Sequence, residues 1–251
     1  MKNSFWMFGV AALSLVACKT PLNITQVQTQ KNISISAEMP SDETMDKMIA
    51  PYKVSLQSQM NAKLSYTATE LTKVGDNSSL GNLLADYTLK GAKQWAAGNA
   101  IPKVDAAVIN IGGIRASIGK GDILLRHLYE VMPFENELVL VKMSGTQLQG
   151  LLDYYQEHEK NNPVSGLEIE TDRGTLTKAL INGVAIQPNE VYYIATSDFL
   201  ALGGDGMKFF GNGEMISTGI KLRDLYIQIF KEVPSVVPPT DIRLNFKNKK
   251  Q

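Results

Sequence analysis

Leu138-Val139-Leu140-Val141-Lys142-Met143-Ser144-Gly145-Thr146-Gln147-Leu148 contains a whole strand-to-helix junction. Leu138 to Met143 reads as a strand with Leu-Val-Leu-Val at its centre. Ser144 is placed to cap the helix that follows, and Gln147, three residues on, is placed to reach back to it, as in a capping box. The helix then carries Leu148, Leu151, Leu152 and Tyr155 at helical spacing.

Outward from this junction, strands and helices are interspersed. Val104 to Asn110 reads as a strand with a nearly unbroken apolar centre, and Val191 to Thr196 as another. Asn182-Gly183, between Leu180-Ile181 and Val184 to Ile186, predicts a tight hairpin, because both turn residues tolerate positive φ. Leu222 to Phe230 reads as a late amphipathic helix. Nearer the N-terminus, Asp76 to Ser79 offers helix caps, and Leu80, Leu83, Leu84 and Tyr87 continue at helical spacing towards Gly98. Leu64, Tyr66 and Ala68 alternate with Lys63, Ser65 and Thr67, as in a half-buried strand. Met45, Met48, Ile49, Tyr52 and Leu56 fall on one helical face, which Pro51 is expected to interrupt or kink. The class implied is α+β (mixed α/β), with layered helices packed on mixed β-sheets.

The chain of 251 residues is 44% hydrophobic, enough for one sizeable core. Lysine plus arginine (25) equals aspartate plus glutamate (25), so the formal net charge is zero. No basic stripe marks a nucleic-acid polymer as partner. An anion bound here must be met by a few placed groups.

The N-terminus predicts an exported chain. Lys2 supplies a positive start, Phe5 to Val16 is apolar but too short to span a bilayer, and Leu15-Val16-Ala17-Cys18 is similar to a lipoprotein cleavage box. Residues 1–17 are then a signal peptide and Cys18 the lipid-bearing first residue, each buried acyl methylene contributing roughly 0.8 kcal/mol. As the one cysteine, Cys18 leaves no partner for an internal disulfide. Residues 18–41 are polar and rich in Thr, Gln, Asn and Ser, as in a flexible tether, and the folded domain is expected over 42–251. No acidic run follows Cys18-Lys19, so attachment facing the periplasm is expected in preference to surface display.

Three segments have the composition of binding loops. In Asn110-Ile111-Gly112-Gly113-Ile114-Arg115, paired glycines let the backbone approach a ligand, and an arginine fork suits phosphate or carboxylate. Met132-Pro133-Phe134-Glu135-Asn136 is a proline-fixed turn offering a ring and an amide to a flat ligand, unless Phe134 is simply core. Asp198-Phe199-Leu200-Ala201-Leu202-Gly203-Gly204-Asp205-Gly206 places a carboxylate among glycines, where it can accept hydrogen bonds from sugar hydroxyls. One acidic residue there lacks the several oxygens that calcium needs.

In this order, Asn-x-Gly-Gly-x-Arg, Pro-Phe-x-Asn, Ser165-Gly166, and Phe-(x)5-Asp within Gly-Gly-Asp-Gly resemble the C-terminal, substrate-binding domain of the 5′-nucleotidase and UDP-sugar hydrolase family. Asn77-Ser78-Ser79-Leu80-Gly81-Asn82-Leu83-Leu84-Ala85-Asp86 is similar to that family's opening helix start. The resemblance implies a nucleobase stacked between Phe134 and Phe199, with Asn136 at the base edge. It places Asp205 at the ribose hydroxyls, Asn110 and Arg115 at the phosphate end, and Gly166 against base or sugar through its backbone, with Gly112, Gly113 and Gly204 counted among the substrate-binding residues. Asn77 stands where the family usually has glutamate, Ser79 to Leu84 lacks the arginines some members carry there, and Met207 replaces a frequent aromatic.

Full-length members of that family hydrolyse phosphate esters with two metals in an N-terminal metallophosphatase domain, a site that needs several histidine and carboxylate ligands. His127 and His158 are the only histidines, and neither lies in such a motif. No cofactor is expected in this chain. Together with the cleavage box and the missing metal motifs, the resemblance leads to the expectation of a lipid-anchored nucleotide- or nucleoside-binding half that works with a separate metallophosphatase chain carrying the divalent metals. The rivals are an autonomous nucleotide hydrolase and a non-enzymatic binding protein with a drifted pocket.

Overall fold

The computed structural model describes residues 26–36 and 39–249. The expected leader (1–17) and Cys18 lie outside the described residues. The chain divides into two units, Met1–Met48 and Ile49–Gln251. In the first, residues 26–36 are exposed and without regular structure. Helix α1 (Glu43–Met60) starts there, where Asp42 Oδ1 accepts from the Thr44 and Met45 amides at 2.9 and 3.2 Å. The helix continues through Pro51, contrary to the expected interruption. Proline removes a single N–H, and on an exposed helix water can satisfy the freed carbonyl. No residue of α1 is buried, so its apolar face exists but is uncovered.

The second unit continues with β1 (Lys63–Thr67), α2 (Ser79–Ala97), β2 (Ala106–Val108), β3 (Gly121–Leu124), α3 (Leu125–Val131), β4 (Glu137–Ser144) and α4 (Gly145–His158). Then come β5 (Val164–Ser165), β6 (Leu167–Asp172), β7 (Thr175–Ile181), β8 (Val184–Ala185) and β9 (Val191–Ser197). The short α5 (Asp198–Ala201), β10 (Glu214–Lys221), α6 (Leu222–Glu232) and β11 (Leu244–Lys247) complete it. A five-stranded sheet has the order β10-β4-β9-β2-β5, a four-stranded sheet β11-β6-β7-β8, and β1 pairs with β3. Only β2–β9 and β11–β6 are parallel, so both larger sheets are mixed, as the sequence implies.

The Leu-Val-Leu-Val run explains how the layers assemble. Leu138 and Leu140 enter one core with Leu80, Leu84, Leu225, Tyr226 and Phe230 from α2 and α6. Val139, Val141 and Met143 enter the other, with Leu148, Leu151 and Tyr155 of α4 and Ile169 of the second sheet. A strand covered on both faces needs apolar residues at every position, and a slip of one residue would exchange the two sets. At its end the capping box closes: Ser144 Oγ accepts from Gln147 N at 3.2 Å, and Gln147 Oε1 accepts from Ser144 N at 2.8 Å. The hairpin between β7 and β8 turns at Asn182 (φ 50) and Gly183 (φ 78), as predicted.

Two local expectations fail. In β1, Ser65 and Thr67 are buried along with Leu64, and Ala68 is exposed beyond the strand. Main-chain acceptors make that burial possible, since Ser65 Oγ donates to Val233 O and Thr67 Oγ1 to Thr69 O at 2.7 Å. Ser78 occupies the N-cap of α2 but its hydroxyl makes no capping bond. Ser79 Oγ instead accepts from Thr72 N at 2.9 Å, fixing the loop before the helix.

Strand β11 is held by an ion network around the buried Arg243 guanidinium, which the sequence did not announce. Arg243 Nη1 and Nη2 reach the two carboxylate oxygens of Asp86 at 2.7 and 2.9 Å, and Nε and Nη2 reach Asp241 at 2.7 and 3.1 Å. Nη1 also donates to the carbonyls of Asn82 and Val164. Asn77 Oδ1 accepts from the Arg243 and Leu244 amides at 2.8 and 3.0 Å, which gives this departure from the family pattern a structural role. The Arg243 side chain is only 9% exposed, so deleting it takes a donor from the Asn82 and Val164 carbonyls, while the Asp86 and Asp241 carboxylates keep access to water. Arg243→Ala is expected to lower unfolding free energy by roughly 1–3 kcal/mol in urea titrations, chiefly through the buried carbonyls that lose their donor. The hydrogen bond from Arg243 holds the Asp241 carboxyl below its ordinary value of 3.8. Its contribution is therefore present above that pH and lost as pH falls through the depressed folded value. Arg243→Ala should remove that part of the acid limb of a stability–pH profile.

Candidate binding cleft

Strand polarity brings separate loops to one edge of the five-stranded sheet. Strands β2 and β9 are parallel neighbours, and β4 runs antiparallel to β9. The C-terminal ends of β2 and β9 therefore lie beside the N-terminal end of β4. The segment after β2 (Asn110 to Arg115), the segment after β9 (Asp198 to Gly206) and the turn before β4 (Met132 to Asn136) meet there. Between them is a cleft of about 290 Å³. Asn110, Gly112, Gly113 and Arg115 line it on one side, with Phe134, Asn136, Phe199 and Asp205 completing the wall.

Each group is placed by its own support. Phe134 and Phe199 are 44% and 42% exposed, so neither is core. The Phe134 turn is held from α6: Arg223 Nη1 donates to the Met132 and Phe134 carbonyls at 3.4 Å, and Nη2 pairs with Glu135. The same guanidinium lies 4.4 Å from the Tyr129 ring centroid, a cation–π contact, and Leu222 N donates to Asn136 O at 2.9 Å. Phe199 sits on α5, whose start is capped by Ser197 Oγ accepting from Leu200 N at 3.2 Å. Gly204 lies directly behind the Phe199 ring rather than in the cleft wall. A Cβ there would be 2.5 Å from two ring carbons and 2.6 Å from the Phe199 carbonyl.

Asp205 has φ 52, between Gly203 (φ 94) and Gly206 (φ 82). A non-glycine residue held left-handed stores of order 1–3 kcal/mol and is characteristic of functional loops. The Gly112 backbone passes between two polar groups, since a Cβ there would be 3.9 Å from both Asn110 Nδ2 and Asp205 Oδ2. Arg115 is exposed, its N–H fixed to Val131 O at 2.8 Å and its Nη1 donating to Gly112 O at 3.2 Å. Sequence reading missed Lys73, whose Nζ donates to Ile114 O at 2.7 Å and braces the same turn. Nothing in the local sequence of Lys73 signals that contact. The cleft thus offers two wettable rings, two amides, a carboxylate and one cation.

One sequence expectation is corrected by topology. Gly166 is not in the cleft. It follows β5, which runs antiparallel to β2 and so carries it away from the edge where Asn110 sits. Its glycine is required instead because a Cβ would meet Asp105 O at 2.5 Å, at φ +70. Met207 is fully buried in the core and forms no part of the wall. His127 and His158 do not line the cleft. His127 Nδ1 accepts from Leu124 N at 3.1 Å at the start of α3, and His158 stands edge-on to Tyr154. Among the described residues, no three His, Cys, Asp or Glu side chains converge as a metal site requires. The dinuclear metal chemistry does not fit the described part of this chain.

Residues 58–212 match the family described as 5′-nucleotidase, C-terminal domain. The chain belongs to that family. It is 32% identical over 218 residues to the trifunctional nucleotide phosphoesterase protein YfkN of Bacillus subtilis, covering 73% of this chain and 14% of that protein. With the protein UshA of Escherichia coli K12 it shares 27% identity over 198 residues, covering 74% of this chain and 34% of the relative. Among solved structures it superposes on the 5′-nucleotidase precursor of Thermus thermophilus with a TM-score of 0.70 and 26% identity, covering 84% of this chain and 44% of that one. The chain therefore spans about a third or less of these two curated relatives.

The packing of Gly204 on Phe199 gives a direct test of how the ring is held. Gly204→Ala should push the ring out of place and cost roughly 1–3 kcal/mol of stability by thermal denaturation. Gly112→Ala, with only van der Waals contacts at 3.9 Å, should leave the melting temperature within experimental error of the parent.

Proposed function

We propose that this chain is the nucleotide- or nucleoside-binding, substrate-specificity half of a 5′-nucleotidase-type phosphate ester hydrolase. The single observation that carries the reading is the shared cleft, in which Phe134, Phe199, Asp205 and Arg115 converge from separate segments. Two rings can hold a flat heterocycle, and Asn136 can bond its edge. The Asp205 carboxylate can accept from a vicinal diol, and the Arg115 fork can meet a phosphate. Each of these groups binds or orients.

The chemistry is assigned to a separate metallophosphatase chain, which would supply two divalent cations to polarise the ester and activate water. Such a partner needs a docking surface of on the order of 1,200 Å² or more in total. The uncovered apolar side chains Ile49, Tyr52 and Leu56, spaced along one face of α1, support one. The cleavage box at Cys18 supports lipid attachment to a bacterial membrane, with the domain facing the periplasm. In this arrangement the tether keeps specificity and chemistry at the same membrane surface.

Titration calorimetry of the chain with adenosine and with nucleoside monophosphates tests the reading. Saturable binding is expected, weakened about 5- to 150-fold in Phe199→Ala, the equivalent of losing roughly 1–3 kcal/mol of stacking. With added manganese or zinc the chain alone should show no turnover of nucleoside monophosphates. Turnover proportional to purified chain would contradict the division of labour, and full-strength binding by Phe199→Ala would contradict the site.

A further inference from the structure

A buried relay of hydrogen bonds connects the two lips of the cleft. Asn162 is fully buried in the connection between α4 and β5. Its Oδ1 accepts from Ile111 N at 3.0 Å, inside the Gly112-Gly113 turn. Its Nδ2 donates to Tyr154 OH at 3.1 Å, and the Tyr154 hydroxyl reaches Asp205 O at 3.3 Å. Tyr155 OH donates to Asn162 O at 2.8 Å and holds the relay's midpoint from behind.

The direction of every bond is forced. The Ile111 amide can only donate, which turns the Asn162 oxygen towards it and leaves the amide nitrogen facing Tyr154. The Asp205 carbonyl can only accept, so the phenol donates to it and receives from Asn162. Burial, the larger influence, pushes the Tyr154 hydroxyl above its ordinary pKa, so it stays a donor through the neutral range. Neither Tyr154 nor Asn162 lines the cleft. They instead tie the Asp205 main chain, at its left-handed φ, to the turn that carries Asn110 and Arg115.

We propose that Tyr154 and Asn162 are positioning residues that fix the spacing between the Asp205 carboxylate and the Asn110–Arg115 turn, and thereby select ligands bearing both a diol and an anion. The identity of the ligand rests on the nucleotide reading above; the mechanical role of the relay does not.

The test compares the full chain with Tyr154→Phe, which deletes only the hydroxyl and should fold. Calorimetry with adenine, adenosine and adenosine monophosphate separates the ring slot from the two lips. Tyr154→Phe should leave adenine affinity within about twofold and weaken adenosine monophosphate, which spans both lips, by about 5- to 20-fold, with a smaller loss for adenosine, which meets only the Asp205 lip. Equal losses for all three ligands, or no loss, would overturn the proposal, since a merely destabilised fold would not discriminate among them. A second measurement needs no ligand. Amide exchange at Ile111 and at Met207, which bonds to Gly204 O, should accelerate in Tyr154→Phe while Ile109, bonded to Pro163 O, stays protected. If the parent chain binds none of the three ligands, the nucleotide reading fails, and exchange alone decides the relay: unchanged rates at Ile111 and Met207 would refute it.

Discussion

The whole site depends on strand polarity in one sheet. With β2 parallel to β9 and β4 antiparallel to it, three neighbouring strands place two exits and one entrance at the same edge. Loops from widely separated parts of the sequence meet there without any long connection crossing the molecule. The register that keeps them aligned is fixed by burial of both faces of β4. Slipping Leu138, Leu140 and their neighbours by one position would swap the contents of two cores. The cleft is thus positioned by the hydrophobic pattern of residues that never touch a ligand.

Around that frame the cleft groups are held at some cost in stability. Two phenylalanines stay nearly half exposed, Asp205 sits left-handed, and buried Arg223 keeps an Nε without a hydrogen-bond partner. A chain selected only for stability would relax each of these. The two rings and Asp205 are each offset by a local device: the Arg223 fork behind Phe134, Gly204 against Phe199, and the phenol of Tyr154 at Asp205. Placed groups of this kind suit a chain of zero formal net charge, in which no general field attracts an anion.

How much was legible in the sequence follows from the range of each interaction. The Ser144–Gln147 cap, the Asn182-Gly183 hairpin and the helix carrying Leu80, Leu84 and Tyr87 are decided within a few residues, and all are found. Leu-Val-Leu-Val announced a strand, but periodicity could not say that both its faces were covered. The face of α1 was readable, whereas its exposure was not, because nothing local records what covers a helix. Ser65 and Thr67 read as outward-facing, because nothing local shows that their hydroxyls find main-chain acceptors. In the cleft, motifs identified the groups at its surface, while Gly166 was misplaced because β5 runs the opposite way to β2. The supports were invisible. Arg223, Asn162 and Arg243 lie outside any motif and act on partners some fifty to 160 residues distant.

A crystal structure of the chain with adenosine monophosphate tests the central claim most directly. The account predicts the purine between the rings of Phe134 and Phe199, the ribose hydroxyls on the Asp205 carboxylate and the phosphate at Arg115. A nucleotide bound elsewhere on the molecule, or bound in this cleft with its base away from both rings, would contradict it.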